Sequence, residues 1–68
     1  MEYTLDQLNE AKRQIDSTLH KLREAIATLE SKENPRRYQS QLTLAKRRVA
    51  AFTLANSLIQ REIKELTV

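Results

Sequence analysis

The chain has 68 residues with 12 Lys and Arg, 9 Asp and Glu and one His, a formal net charge of +3. It has no cysteine, which excludes disulfides, thiolate metal sites and thiol nucleophiles, and its lone histidine excludes a multi-histidine metal site within one copy. A chain this short with neither kind of staple is expected to gain robustness by oligomerising.

Gly is absent, Pro occurs once, and the remainder is rich in good helix formers, so the expected class is all-α. The N-terminal residues, with Glu2 and Asp6 and no apolar run, read as neither a secretory signal nor a transit peptide. No apolar stretch reaches the roughly 18 residues of a membrane span, and a cytoplasmic protein with no membrane partner is expected.

The first helix is predicted over residues 4–32. Thr4 and Gln7 have the spacing of a capping box, and Asp6 and Glu10 suit the positive end of the helix dipole. Leu5, Leu8, Lys12, Ile15, Leu19, Leu22, Ile26 and Leu29 then follow in steps of three and four, a heptad seam with one polar member. The turn is placed at 33–34, because Asn34 precedes Pro35 and is pushed out of the α region; Asn34 is read as N-cap and Pro35 as the first residue of the second helix. So short a connection folds the helices side by side as an antiparallel hairpin.

The second helix, predicted over 35–66, has its own seam at Tyr38, Leu42, Ala45, Val49, Phe52, Asn56, Ile59, Ile63 and Leu66. Folding at Asn34 sets the two polar seam residues, Lys12 and Asn56, in one layer. That pair is read either as a register device, since slippage would bury each against an apolar group, or as a lysine that snorkels past Asn56 to water.

From Val49 to Ile59 the apolar residues point in nearly every direction around the helix, so one partner helix cannot cover them. The flanks of the seam show where more cover is needed. One flank carries Ala11, Thr18 and Ala25 from the first helix and Leu44, Arg48, Ala51, Ala55 and Leu58 from the second; the other carries Asn9, Asp16, Arg23 and Glu30 against Gln39, Lys46, Thr53 and Gln60. The first flank is expected to be a homodimer interface and the second to face solvent, giving an antiparallel four-helix bundle. Residues 20–48 carry eight bases (Lys21, Arg23, Lys32, Arg36, Arg37, Lys46, Arg47, Arg48) and three acids (Glu24, Glu30, Glu33), net +5, and the rest of the chain is net −2. Like ends repel, so the turns are expected at opposite ends of the dimer.

Arg36, Arg37, Lys46, Arg47 and Arg48 form a basic cluster near the turn. On a continuous helix Arg36 and Arg47, eleven residues apart, share a face, as do Arg37 and Arg48, and such a patch suits nucleic-acid phosphates. The competing reading has the arginines at the turn reaching Glu30 and Glu33, or the free carbonyls that end the first helix. His20 follows Asp16 by four residues and reads as half of an exposed pair rather than as a general base. Leu54 points away from the seam beside Ala50, Ala51 and Leu58, either covered by the dimer or open to a further protein.

No catalytic, cofactor or metal site is expected. The leading functional expectation is a small non-enzymatic interaction module, a homodimeric bundle presenting helix faces to a partner protein. A nucleic-acid-binding regulator using the basic cluster and a subunit of a larger coiled-coil assembly are the alternatives. In architecture the expected dimer is similar to the dimeric helical hairpins of Rop-type plasmid copy-number regulators, an analogy of fold that transfers no residue roles.

Overall fold

The computed structural model describes residues 2–33 and 35–67. Its elements are α1 (Leu5–Glu30), a short 3-10 helix (Pro35–Tyr38) and α2 (Gln39–Thr67).

The start of α1 is set by its cap. Thr4 is extended (φ −78°, ψ 158°), its hydroxyl accepts from the Gln7 amide at 3.1 Å, and the Gln7 side chain accepts from the Thr4 amide at 2.9 Å. Two backbone donors that the helix leaves unpartnered are thus satisfied reciprocally, as the spacing predicts. The other end comes two residues earlier than expected, at Glu30 rather than residue 32. There the Ser31 amide donates to Ala27 O at 3.1 Å, the Ser31 hydroxyl to Thr28 O at 2.8 Å, and the Lys32 amide to Leu29 O at 3.3 Å. A serine bonding back onto the last turn competes with helix continuation, and the three-residue closure at Lys32 tightens the end.

The second helical segment also departs from expectation. It opens as a 3-10 helix, and regular α-helix begins only at Gln39, running to Thr67. The expected N-cap Asn34 lies outside the described residues. A 3-10 turn advances about 120° per residue against 100° in an α-helix, so the faces of residues 35–38 are rotated relative to α2.

α1 and α2 pack against each other as a hairpin. Every expected seam position is buried or half-buried except Leu5 and Leu66 at the open end of the hairpin, and the fully buried residues are Leu8, Leu19 and Leu42. The steps of three and four therefore determined which stripe of each helix faces the other. Two packed helices bury one stripe each and little more. The molecule measures 49 × 17 × 16 Å with a radius of gyration of 15.4 Å, against about 11 Å for a compact domain of this length. Its accessible surface is 5661 Å², whereas a compact monomer of the same mass exposes about 4,400 Å².

Candidate interaction surfaces

Most of the exposed large apolar residues lie on α2. Leu44, Leu54 and Leu58 are 49%, 64% and 54% exposed, values far above those of the buried leucines. Leu44, Ala51 and Leu58 recur every seven residues and so form one stripe along the helix; Leu54 lies about 40° further round. Of the residues expected at a dimer interface, Thr18, Ala25, Leu44, Arg48, Ala51 and Leu58 are exposed, and Ala11 and Ala55 are half-buried at the edge of the seam. Between Val49 and Ile59 no residue is fully buried: Val49, Phe52, Ala55, Asn56 and Ile59 are half-buried against α1, and Ala50, Ala51, Leu54 and Leu58 stay in solvent. α2 is thus covered on one side and apolar on a second.

The opposite flank of the hairpin is polar and basic. An open groove of about 440 Å³ runs between the helices there, with Lys12 and Arg23 from α1 and Arg61 and Lys64 from α2 along it, Asp16 as its one acid, and Thr53, Ser57 and Gln60 between. Four bases against one acid leave it net +3. Among the described residues Arg23, Arg61 and Lys64 make no ion pair. Sequence reasoning located the basic character at the turn and missed this groove. The signal was present in the polar flank of α2, where Thr53, Ser57, Gln60 and Lys64 succeed each other at helical spacing, with Arg23 on the same flank of α1.

The polar layer is a three-residue arrangement rather than a pair. Lys12 Nζ donates to Asp16 Oδ2 at 2.9 Å, and Asn56 Nδ2 donates across the hairpin to Asp16 Oδ1 at 2.7 Å. The two seam residues expected to face each other are linked through a carboxylate from the flank. The hydrogen bonds from Lys12 and then Asn56 hold the Asp16 carboxyl below its ordinary value. Asn56 Oδ1 is enclosed and meets no donor among the described residues. Asp16 fixes the amide orientation, because an ionised carboxylate only accepts and must be faced by the N–H₂ end.

Asp16 is therefore not the partner of His20. His20 Nε2 lies 3.0 Å from Glu24 Oε1, one turn toward the C-terminus, while the Asp16 carboxylate is held by Lys12 and Asn56. On the same helix Glu10 receives Arg13 at 2.6 Å and Gln14 at 2.8 Å, and these hydrogen bonds, Gln14 first, lower its pKa.

The basic cluster near the turn is shared between two helical segments, Arg36 and Arg37 in the 3-10 helix and Lys46, Arg47 and Arg48 in α2. Lys46 pairs with Glu30 at 3.3 Å, and the carbonyls of Ala27, Thr28 and Leu29 are taken by Ser31 and Lys32. Neither acceptor set proposed for Arg36 and Arg37 is therefore the one in use: among the described residues no ion pair involves Arg36, Arg37, Arg47 or Arg48. The 3-10 segment also breaks the eleven-residue face, since Arg36 and Arg37 lie in it while Arg47 and Arg48 lie in α2.

Among the described residues no group of three or more His, Asp or Glu is placed to hold a metal ion, and no helix is long and apolar enough to cross a membrane. No family model matches the chain, and no curated protein or solved structure is matched by it.

Proposed function

We propose that this hairpin is a non-enzymatic protein-interaction module of the cytoplasm, in which two copies associate into an antiparallel four-helix bundle and present their outer helix faces to a partner protein. The observation that carries the reading is the exposed stripe Leu44, Ala51 and Leu58 with Leu54 beside it, on a helix whose other side is already packed. Surface in excess of a compact monomer by about 1,250 Å² per copy is of the size that a stable dimer buries. The +5 turn half and the −2 remainder favour turns at opposite ends.

The test is molar mass by light scattering across a hundredfold range of concentration, on the native chain and on Ala55→Glu. The native chain is expected to be a dimer throughout. The variant, with a charge in the contact, is expected to be monomeric or unfolded. A native chain that is monomeric at the highest concentration overturns the reading, and a variant that remains a folded dimer places the contact on another face.

A second reading, polyanion binding such as to nucleic acid, is favoured by the groove rather than by the turn cluster. Arg23, Arg61 and Lys64 are free of ion pairs among the described residues and lie on one open face. Phosphate contacts by such side chains are salt-dependent. Retention on heparin that falls with salt and is lost in Arg23→Gln/Arg61→Gln/Lys64→Gln supports it; retention unchanged by that triple variant removes the groove from consideration.

A further inference from the structure

Resting on the dimer reading, we propose a specific register for it: the second copy docks antiparallel with the two-fold axis level with Thr53, Ala51 packs on Ala55 of the partner subunit, and Arg48 pairs with Glu62 of the partner subunit.

The pattern of α2 points to that axis. The flank Leu44, Arg48, Ala51, Ala55, Leu58, Glu62, exposed except for the half-buried Ala55, advances in steps of four and three, a heptad seam beside the one that faces α1. In an antiparallel pair centred on residue 53, this seam sets Ala51 opposite Ala55, Arg48 opposite Leu58 and Leu44 opposite Glu62. The smallest residues then meet at the centre, where they let two helices approach to the short end of the usual 8–10 Å range.

The charges follow from the same geometry. Arg48 and Glu62 are both exposed, and neither makes an ion pair with another described residue of its own chain. Glu62 lies one turn beyond the residue that faces Arg48, about 6 Å along the axis, a distance an arginine side chain spans while its methylenes cover Leu58. Symmetry makes two such pairs. The alternatives fail on the same residues. Sliding by one heptad replaces the central alanine pair by Ala55 opposite Leu58 and offsets the copies by about 10 Å. A parallel pair sets Arg48 against Arg48, Glu62 against Glu62, and one +5 half beside the other.

The chain has no cysteine of its own, so disulfide trapping reads the register directly. Ala51→Cys/Ala55→Cys is expected to give a covalent dimer on mild oxidation, seen on a non-reducing denaturing gel, as is an equal mixture of the two single variants. Either single variant alone is expected to cross-link about tenfold more slowly, because its own copies are offset by about 6 Å and a disulfide needs Cα atoms within about 7 Å of each other. Fast cross-linking of Ala51→Cys alone overturns this register, in favour of a parallel pair or an axis level with residue 51, and faster trapping of Ala55→Cys/Leu58→Cys overturns it in favour of the heptad slip.

A charge exchange tests the ion pair. Arg48→Glu and Glu62→Arg are each expected to raise the dimer dissociation constant about tenfold, through two like-charge contacts. Arg48→Glu/Glu62→Arg is expected to return it to within about threefold of the native value, as complementary pairs are restored. A double variant as weak as the sum of the two single effects overturns the pairing. The failures remain distinct: a monomeric native chain removes the dimer altogether, whereas a native dimer with other cross-links or additive charge effects removes only this register.

Discussion

Asn56→Leu should make the protein more stable. The substitution removes the enclosed Oδ1 that meets no donor and the amide that donates to Asp16 at 2.7 Å. A buried acceptor without a partner costs on the order of 1–3 kcal/mol. The surrendered N–H bond is worth less than that, because its carboxylate acceptor stays at the surface, half exposed and still held by Lys12 at 2.9 Å. Half-burying a leucine in place of the amide adds about 1 kcal/mol. The balance is a gain of about 1–2 kcal/mol, which for a domain of this size raises Tm by roughly 5–10 °C. Thermal unfolding followed by helical circular dichroism, at one chain concentration for both proteins because association also moves Tm, reads the difference. A variant that melts lower than the native chain would falsify this reasoning and make the polar layer a net source of stability. The gain should come at a cost in uniqueness. With Asn56 gone, a hairpin slipped by one heptad no longer breaks the bond to Asp16, and amide NMR spectra should show more than one set of resonances for residues near position 56.

Asp16 supplies a readout of the same layer in pH. Its pKa is lowered by hydrogen bonds that exist only in the folded hairpin, so its contribution is present above the ordinary carboxylate value and is lost as pH falls through the folded one. An NMR titration should find the Asp16 carboxyl below 3.8 in the native chain and closer to it in Asn56→Ala. Thr4→Ala removes the acceptor for the Gln7 amide and should lower stability by about 1 kcal/mol in chemical denaturation, whereas Thr4→Ser should cost only a few tenths. An effect of Thr4→Ala below that size would mean the first turn frays in the native chain. Leu54→Gln should leave the dimer dissociation constant within threefold of native, because Leu54 lies about 40° round from the Leu58 stripe. A larger loss would bring Leu54 inside the contact.

The fold was legible because its determinants are local or periodic. The capping box needs only Thr4 and Gln7, and the seam needs only apolar residues at steps of three and four, so both could be read without knowing what they pack against. What escaped depends on side-chain reach across the hairpin. Asp16 stands on the flank by its helical angle, yet its carboxylate is the link between Lys12 and Asn56, because both donors lean toward it from adjoining positions. The same limit explains the mistaken partners of Glu30 and His20. Spacing identifies which residues are close enough to pair, but Lys46 approaches Glu30 from sixteen residues away and wins it. The ends of the turn were missed for a different reason. The choice between α and 3-10 geometry at Pro35–Tyr38 rests on small differences in backbone bonding that leave no period in the sequence.

The two candidate surfaces lie on opposite flanks of α2, and this separation constrains how the molecule can work. Leu44, Ala51 and Leu58 point to one side of the plane of the hairpin, while Thr53, Ser57 and Lys64 point to the other. A second copy seated on the apolar flank therefore leaves the groove of each protomer open, and an antiparallel arrangement places the two grooves on opposite sides of the bundle, related by the two-fold axis. Binding at the groove and association through the stripe are then independent to first order: groove substitutions should leave the dimer dissociation constant unchanged, and sites this far apart with no shared side chain should give additive effects on stability. The one element common to both surfaces is α2 itself, held to α1 by a seam whose fully buried residues are Leu8, Leu19 and Leu42. With so little fully buried in the single hairpin, a second copy on the apolar flank would add to the stability of α2, the helix that carries Arg61 and Lys64. Coupling between the two surfaces, where it is found, should therefore run through folding and be reciprocal, with loss of the dimer weakening the groove and occupation of the groove favouring the dimer by the same factor.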